Sequence, residues 1–160
     1  MYLPTSSMAN TYTQIHIQAV FAVKYRDALI HPSFKERLHQ YMTGIIQNRD
    51  HKLLAINSMP DHIHLVIGYR PHESLASLIG KVKGESSEWI NHEHLSRTQF
   101  RWQEGYGAFS YSISDVPKVI RYIENQEQHH QKKTFSEEYK ALLKEFGIES
   151  DPGYHFRPPE

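Results

Sequence analysis

Residues 59–69 read MPDHIHLVIGY, and His62 and His64 hold alternate positions in its apolar run. A strand repeats every two residues, so both rings project from one face, about 7 Å apart along the chain. Two imidazoles so placed can converge on one metal ion. They are also compatible with two polar side chains on a wet sheet face. A mononuclear site needs at least a third ligand, and DVPKVIRYIENQEQHHQKK at residues 115–133 offers one. Val116, Val119, Ile120 and Ile123 form the buried stripe of a predicted helix. At about 100° per residue, Tyr122, Gln126 and His129 fall together on its flank. Tyr122 and Gln126 are i and i+4, with Cβ atoms about 5–6 Å apart. A phenol, an amide oxygen and an imidazole on one helix edge make half a site. A boundary tyrosine beside a solvated polar flank is the plainer alternative.

Together the two halves suggest a definite chemistry. Two imidazoles and one amide oxygen leave open positions on a divalent ion for phosphate oxygens. Such an ion would withdraw charge from a phosphodiester and orient its scissile bond. Tyr122 would be the nucleophile, and with a free phenol pKa of about 10 it needs a nearby cation or base. The product would be a covalent phosphotyrosine, which conserves the bond energy for a later strand transfer without ATP.

These residues must be positioned by a particular run of elements. TYTQIHIQAVFAV at 11–23 alternates, with Ile15, Ile17, Ala19 and Phe21 on one face and Tyr12, Gln14, His16 and Gln18 on the other. His31-Pro32-Ser33 opens a helix carrying Phe34, Leu38, Tyr41, Met42, Ile45 and Ile46 at helical spacing. Strands at about 52–58 and 61–68 follow, joined tightly through Met59-Pro60-Asp61. In the second of them Ile63, Leu65 and Ile67 oppose His62, His64 and Val66. A helix from about Ser74 to Asn91 buries Leu75, Leu78, Ile79, Val82, Ser86 and Trp89. A glycine-containing loop enters a short strand near 108–112, and Ser114 or Asp115 caps the tyrosine helix, with Pro117 in its first turn. A last helix near 136–146 ends at Gly147.

The order β-α-β-β-α-β followed by helices predicts an α+β chain of ferredoxin-like, RRM-like split βαβ type. Its antiparallel sheet would carry helices on one face, and C-terminal helices would bring the tyrosine. The histidine face would then be an open, solvent-accessible platform. With 160 residues the chain is expected to form one domain at 10–147. Loose tails are expected at 1–9, where Met8 offers a second start, and at 148–160.

Composition narrows the classes. There is no cysteine, which removes disulfides and thiolate metal sites and leaves nitrogen and oxygen ligands. No apolar run approaches the roughly 20 residues that span a bilayer, and the first residues lack the blocks of a secretory signal. A cytoplasmic protein that does not enter membranes is expected. The formal net charge is zero, so any case for nucleic acid rests on local residues.

DHIHLVI resembles the HUH motif, and YIENQ is similar to the nucleophile motif of the single-tyrosine HUH transposases of the insertion-sequence-200/605 type, the superfamily of the REP-associated tyrosine transposases. The similarity extends through NTYTQIHIQAVFAVKYR, LASLIGKVKGESSEWIN, WQEGYGAFSYS and NQEQHHQKKTFSEEY. The resemblance implies that His62 and His64 are metal ligands, Gln126 the third ligand and Tyr122 the nucleophile. It implies cleavage of single-stranded DNA at the ends of a mobile element through a 5′-phosphotyrosine, with rejoining of the strands. It also implies Mg²⁺ or Mn²⁺ as cofactor, no nucleotide cofactor, recognition of a hairpin near each end, and a homodimer. In that dimer the tyrosine helix of one subunit can complete the histidines of the other, a point on which the sequence leaves cis and trans assembly open.

For DNA contacts the residues that offer themselves are Lys81 and Lys83 beside Gly84, Arg97 and Arg101, and the aromatics Trp102, Tyr106 and Phe109. EGYGAFS is expected to bring its backbone close to the sheet or to a DNA strand, and Asp61 is placed to orient one histidine ring. Three other readings stand beside the leading one. A domesticated or replication-type nicking enzyme would keep the chemistry. A non-catalytic RNA-binding module would want aromatics on the open sheet face. A histidine-rich metal binder is disfavoured, because His31, His39, His51, His92 and His94 form no single cluster along the chain.

Overall fold

The computed structural model describes residues 11–130 and 132–149. The expected tail at 1–9, and all but the first two residues of the one at 148–160, lie outside these described residues. The elements are β1 (Ile15–Ala22), α1 (Pro32–Asn48), β2 (Lys52–Met59), β3 (His62–Tyr69), α2 (Leu75–His92), β4 (Gly107–Tyr111), α3 (Val116–Glu124), α4 (Gln126–His130) and α5 (Phe135–Glu145). The strands form one antiparallel sheet in the order β2-β3-β1-β4. β3 lies between β1 and β2, the split βαβ arrangement that the element order predicts.

Local sequence accounts for most boundaries. Pro32 opens α1 behind His31, whose ring accepts the Ser33 N–H, and Ser74 caps α2 by accepting the Ser77 N–H. Thr134 does the same for α5 at Glu137 N. Gly147 (φ +65°) ends α5, where Gly147 N–H donates to Lys144 O and Ile148 N–H to Leu143 O. This is the 6→1, 5→2 closure that favours glycine. The tyrosine helix differs from the single run expected. α3 stops at Glu124, Asn125 leaves helical geometry at φ −100° and ψ 23°, and Gln126 begins α4.

The periodicities place the main core where expected. Ala19, Phe21, Ile63, Leu65 and Ile67 pack with Phe34, Leu38, Met42, Ile46, Leu78, Ile79 and Val82 between the sheet and α1/α2. β2 departs from strict alternation because its register slips at Leu54, between Leu53 and Ala55. Leu53 and Ile56 therefore share the α1/α2 core, while Ala55 packs toward α3.

The expectation of an open histidine face is overturned. Val20, Ala22 and Phe109 on that face are covered by Phe135, Leu142 and Leu143 of α5, and Ala55 and Val66 by Val119 and Ile123 of α3. The reason is in the residues. The face interleaves its polar groups with apolar ones, and each fully buried aliphatic or aromatic side chain contributes about 1.5–3 kcal/mol. Two amphipathic helices stood ready to cover it. The RNA-module alternative, which needs an accessible sheet face, thereby loses its platform.

Candidate active site

His62 and His64 sit side by side on β3, fully buried, with ring centroids 5.2 Å apart. β3 is held between β2 and β1, where His62 pairs with Ala22 and Met59 and His64 with Val20 and Asn57. Each ring is oriented by a neighbour at Nδ1. His62 Nδ1 donates to Asp61 Oδ1 at 2.7 Å, and His64 Nδ1 donates to Gln18 Oε1 at 2.8 Å. Gln18 is itself fixed by donating through Nε2 to the Tyr111 hydroxyl at 2.8 Å. Fixing Nδ1 turns both Nε2 atoms inward, the arrangement of metal-ligating histidines with oriented rings. Burial lowers the His62 pKa to about 4 against the pull of the Asp61 hydrogen bond, so the ring is neutral near pH 7.

Tyr122 reaches this pair from α3. Its ring centroid lies 6.3 Å from that of His64. Asn57 Nδ2 donates to the carbonyl of Ile123 at 2.8 Å, pinning the tyrosine helix to β2. Gln126 is fully buried at the start of α4, and its amide donates back to the Tyr122 carbonyl at 3.5 Å. The chain thus brings His62, His64 and Tyr122 together within itself, with Gln126 beside Tyr122. Nothing is described for the side chain of His129, the third residue of the predicted flank.

One residue of the site was missed from sequence. Glu138 of α5, 4% exposed, places Oε1 2.8 Å from His64 Nε2 and 3.9 Å from His62 Nε2. Its Oε2 accepts the Tyr122 hydroxyl at 2.6 Å. A signal existed: Phe135, Glu138 and Leu142 stand at i, i+3 and i+7, so the carboxylate lies on the apolar stripe of α5. Phe135 stacks on His62 with centroids 3.9 Å apart. Burial, and then the Glu138 carboxylate, push the Tyr122 phenol above its ordinary pKa, while the Gln126 amide pulls it down. A cavity of about 270 Å³ opens beside Tyr122 and Glu138, lined also by Lys132 and Lys133. These two exposed cations suit a phosphate and were not singled out in the sequence.

Donor atoms of His62, His64 and Glu138 lie within 4.8 Å of one another, a set that fits one divalent ion. A second cluster, His51, His72 and Glu73, meets the same distance criterion. There His51 Nδ1 accepts the Arg70 N–H at 3.0 Å, which puts the ring proton on Nε2, facing Glu73 Oε1 at 2.9 Å. Arg49 also forms a two-pronged pair with Glu73. That cluster is a buttress for the far end of the sheet, with its imidazole donor already spent.

The DNA-contact expectations divide. Lys81, Arg97 and Arg101 are exposed, and Arg101 lines a cavity of about 300 Å³ with Lys24 and Tyr25. Tyr106 is partly buried against the main core. Lys83 is a strut: its ammonium donates to the carbonyls of Gln103 and Gly105, at 2.6 and 2.9 Å. Trp102 and Phe109 are corrected outright, at 8% and 2% exposure. Trp102 sits edge-on to Phe21 and Phe100 and donates to Ser86 Oγ, while Phe109 packs under α5. Neither offers a face to a base, because each ring fills a hydrophobic layer. EGYGAFS does bring its backbone close to something, and that something is α5: a Cβ at Gly107 would meet the Tyr139 ring at 2.9 Å. No helix among the described residues is long and apolar enough to cross a membrane.

Comparison with known proteins identifies the family of the chain. Over 118 residues the chain is 21% identical to the ISDra2 transposase TnpA of Deinococcus radiodurans, covering 71% of this chain and 84% of that one. It is 25% identical over 126 residues to the transposase for insertion sequence element IS200 of Salmonella typhimurium, covering 75% and 82%. The fold matches a solved REP-associated tyrosine transposase bound to a REP hairpin, with a TM-score of 0.58 at 13% identity over 76% of this chain and 72% of that one. The family model described as "Transposase IS200 like" matches residues 11–126, which run from the strand before the histidines to the glutamine after the tyrosine, and the chain belongs to that transposase family.

Proposed function

We propose that the chain cleaves and rejoins single-stranded DNA at mobile-element ends through Tyr122. The observation that carries this reading is the shared carboxylate of Glu138, which meets the Tyr122 hydroxyl on one oxygen and His64 on the other. A nucleophile and a metal-ligand pair are thereby held at one point. In the cleavage step Tyr122 Oη bonds to phosphorus as the P–O3′ bond breaks. The phenol proton passes to Glu138 Oε2, and the 3′ oxygen leaves as a hydroxyl after taking a proton from solvent. The intermediate is a 5′-phosphotyrosine, and attack by a 3′-hydroxyl reverses the step to join strands. His62, His64 and Gln126 would hold Mg²⁺ or Mn²⁺, which supplies charge withdrawal from the phosphodiester when bound. Asp61 and Gln18 keep the ligand rings in register, α3 and α5 exclude water, and Lys132 and Lys133 meet the strand's phosphates.

Hairpin-bearing DNA is the proposed substrate, and the exposed Lys81, Arg97 and Arg101 are its proposed contacts. The resemblance suggests a homodimer. Assembly of the site within one chain supports cis catalysis in either oligomeric state, and sedimentation at micromolar concentration would report that state.

The test uses single-stranded oligonucleotides bearing a hairpin, incubated with Mn²⁺ and resolved on denaturing gels. A protein–DNA adduct is expected with the wild type and none with Tyr122→Phe. An adduct formed equally by Tyr122→Phe refutes the nucleophile, and cleavage unaffected by chelation refutes the metal.

A further inference from the structure

Donor atoms of His62, His64 and Glu138 converge, all within 4.8 Å of one another. His62 meets the carboxylate of Asp61 at Nδ1 and stands with Nε2 3.9 Å from Glu138 Oε1. His64 meets Gln18 Oε1 at Nδ1 and Glu138 Oε1 at Nε2, each at 2.8 Å. One carboxylate oxygen thus faces the Nε2 atoms of both rings. Glu138 lies on the apolar stripe of α5 beside Phe135, Leu142 and Leu143, so the packing of that helix delivers its carboxylate to the pair.

We propose that the divalent ion of this site takes Glu138, through Oε1, as its anionic ligand from α5, alongside His62 and His64. The inference rests on the metal-assisted reading given above. The donor chemistry supports it. Mg²⁺ and Mn²⁺ are hard ions that favour carboxylate oxygen, and Mg²⁺ is usually held through one or two carboxylates. Imidazole and amide ligands bring no negative charge to an ion, so Glu138 is the anionic member of the set. Neighbouring ligands of an octahedral ion with bonds of 2.0–2.1 Å stand about 3 Å apart, close to the 2.8 Å between His64 Nε2 and Glu138 Oε1. Because the other oxygen of the same carboxylate holds the Tyr122 hydroxyl, ion and nucleophile are tied through one side chain. Binding of the ion then also ties α5 to the sheet.

The test is Mn²⁺ binding by DNA-free protein, followed by calorimetry, with hydrogen exchange of residues 135–145 as a second readout. Glu138→Gln is expected to weaken Mn²⁺ by about tenfold or more. In the wild type, Mn²⁺ is expected to slow exchange in α5. Wild-type or tighter affinity in Glu138→Gln, with affinity lost in His64→Ala, overturns this inference alone. Affinity unchanged in His64→Ala overturns the metal site itself, and this inference with it. The exchange measurement needs no variant: Mn²⁺ binding that leaves α5 exchange unaltered also overturns the proposal.

Discussion

The amide of Asn57 donates to the carbonyl of Ile123 at 2.8 Å, joining the strand beside His64 to the residue that follows Tyr122. This bond crosses from β2 to the last turn of α3, where the carbonyls of a helix lack internal partners. Its own Oδ1 accepts the Ser58 N–H, so the side chain is held at both ends. Asn57→Ala is expected to cost about 0.5–1.5 kcal/mol, because it removes a hydrogen bond to a part-buried carbonyl. DNA-adduct formation should fall more than stability requires, since the tyrosine helix loses its tether. Thermal melts and adduct rates measured below the melting range would check both; an adduct rate equal to wild type would count against the tether.

Asp61 controls the tautomer of His62 from the adjacent position. Asp61→Ala is expected to weaken Mn²⁺ binding about 10–100-fold, the usual consequence of removing the group that orients a ligating ring. Asp61→Asn, which retains an acceptor oxygen, should fall between. Calorimetric titration of the three proteins gives the order directly.

Stability should fall as the solution is acidified below neutrality. His62 is buried neutral, with its pKa lowered from 6.5 to about 4 chiefly by burial. Between those values the unfolded chain binds a proton that the folded chain refuses, so stability rises with pH across that window and is lost on descending through it. The effect is of order 3 kcal/mol for His62, and His39, lowered to about 4 mainly by burial, acts in the same direction. Glu73, held down to about 2 chiefly by its hydrogen bond to Arg49, adds a further loss as the pH falls from 4.5 toward 2. Urea melts of metal-free protein from pH 7 to 4 should show the decline, with a shallower slope in His62→Gln. A flat profile would contradict the buried neutral ring.

Gly107 touches α5 so closely that a methyl group there would meet the Tyr139 ring at 2.9 Å and its hydroxyl at 2.8 Å. Gly107→Ala is expected to cost about 1–3 kcal/mol by overpacking and to displace the helix that carries Glu138. Adding Tyr139→Ala should recover part of that cost, a non-additivity expected of residues in contact. Melting temperatures of the two single variants and the double variant test the coupling.

What the sequence by itself determined were the features set by local periodicity and local chemistry. Alternation on β3 placed His62 and His64 on one face, the i, i+4 spacing brought Tyr122 near Gln126, and cap residues such as Ser74 and Gly147 marked helix ends. The order of elements sufficed for the split βαβ sheet, because connections of that length have few ways to pair. The tertiary structure alone decided what covers the histidines. Glu138 is 74 residues from His64 in the chain, and no repeat or spacing links them. The apolar stripe of α5 shows that the helix must bury a face, but only packing selects the sheet face that receives it. The same holds for Trp102 and Phe109, whose residue type suits either a base or a core and whose burial is settled by the layers above and below. Residue type and period act over one or two turns of chain; the choice of partner depends on how the whole chain excludes water.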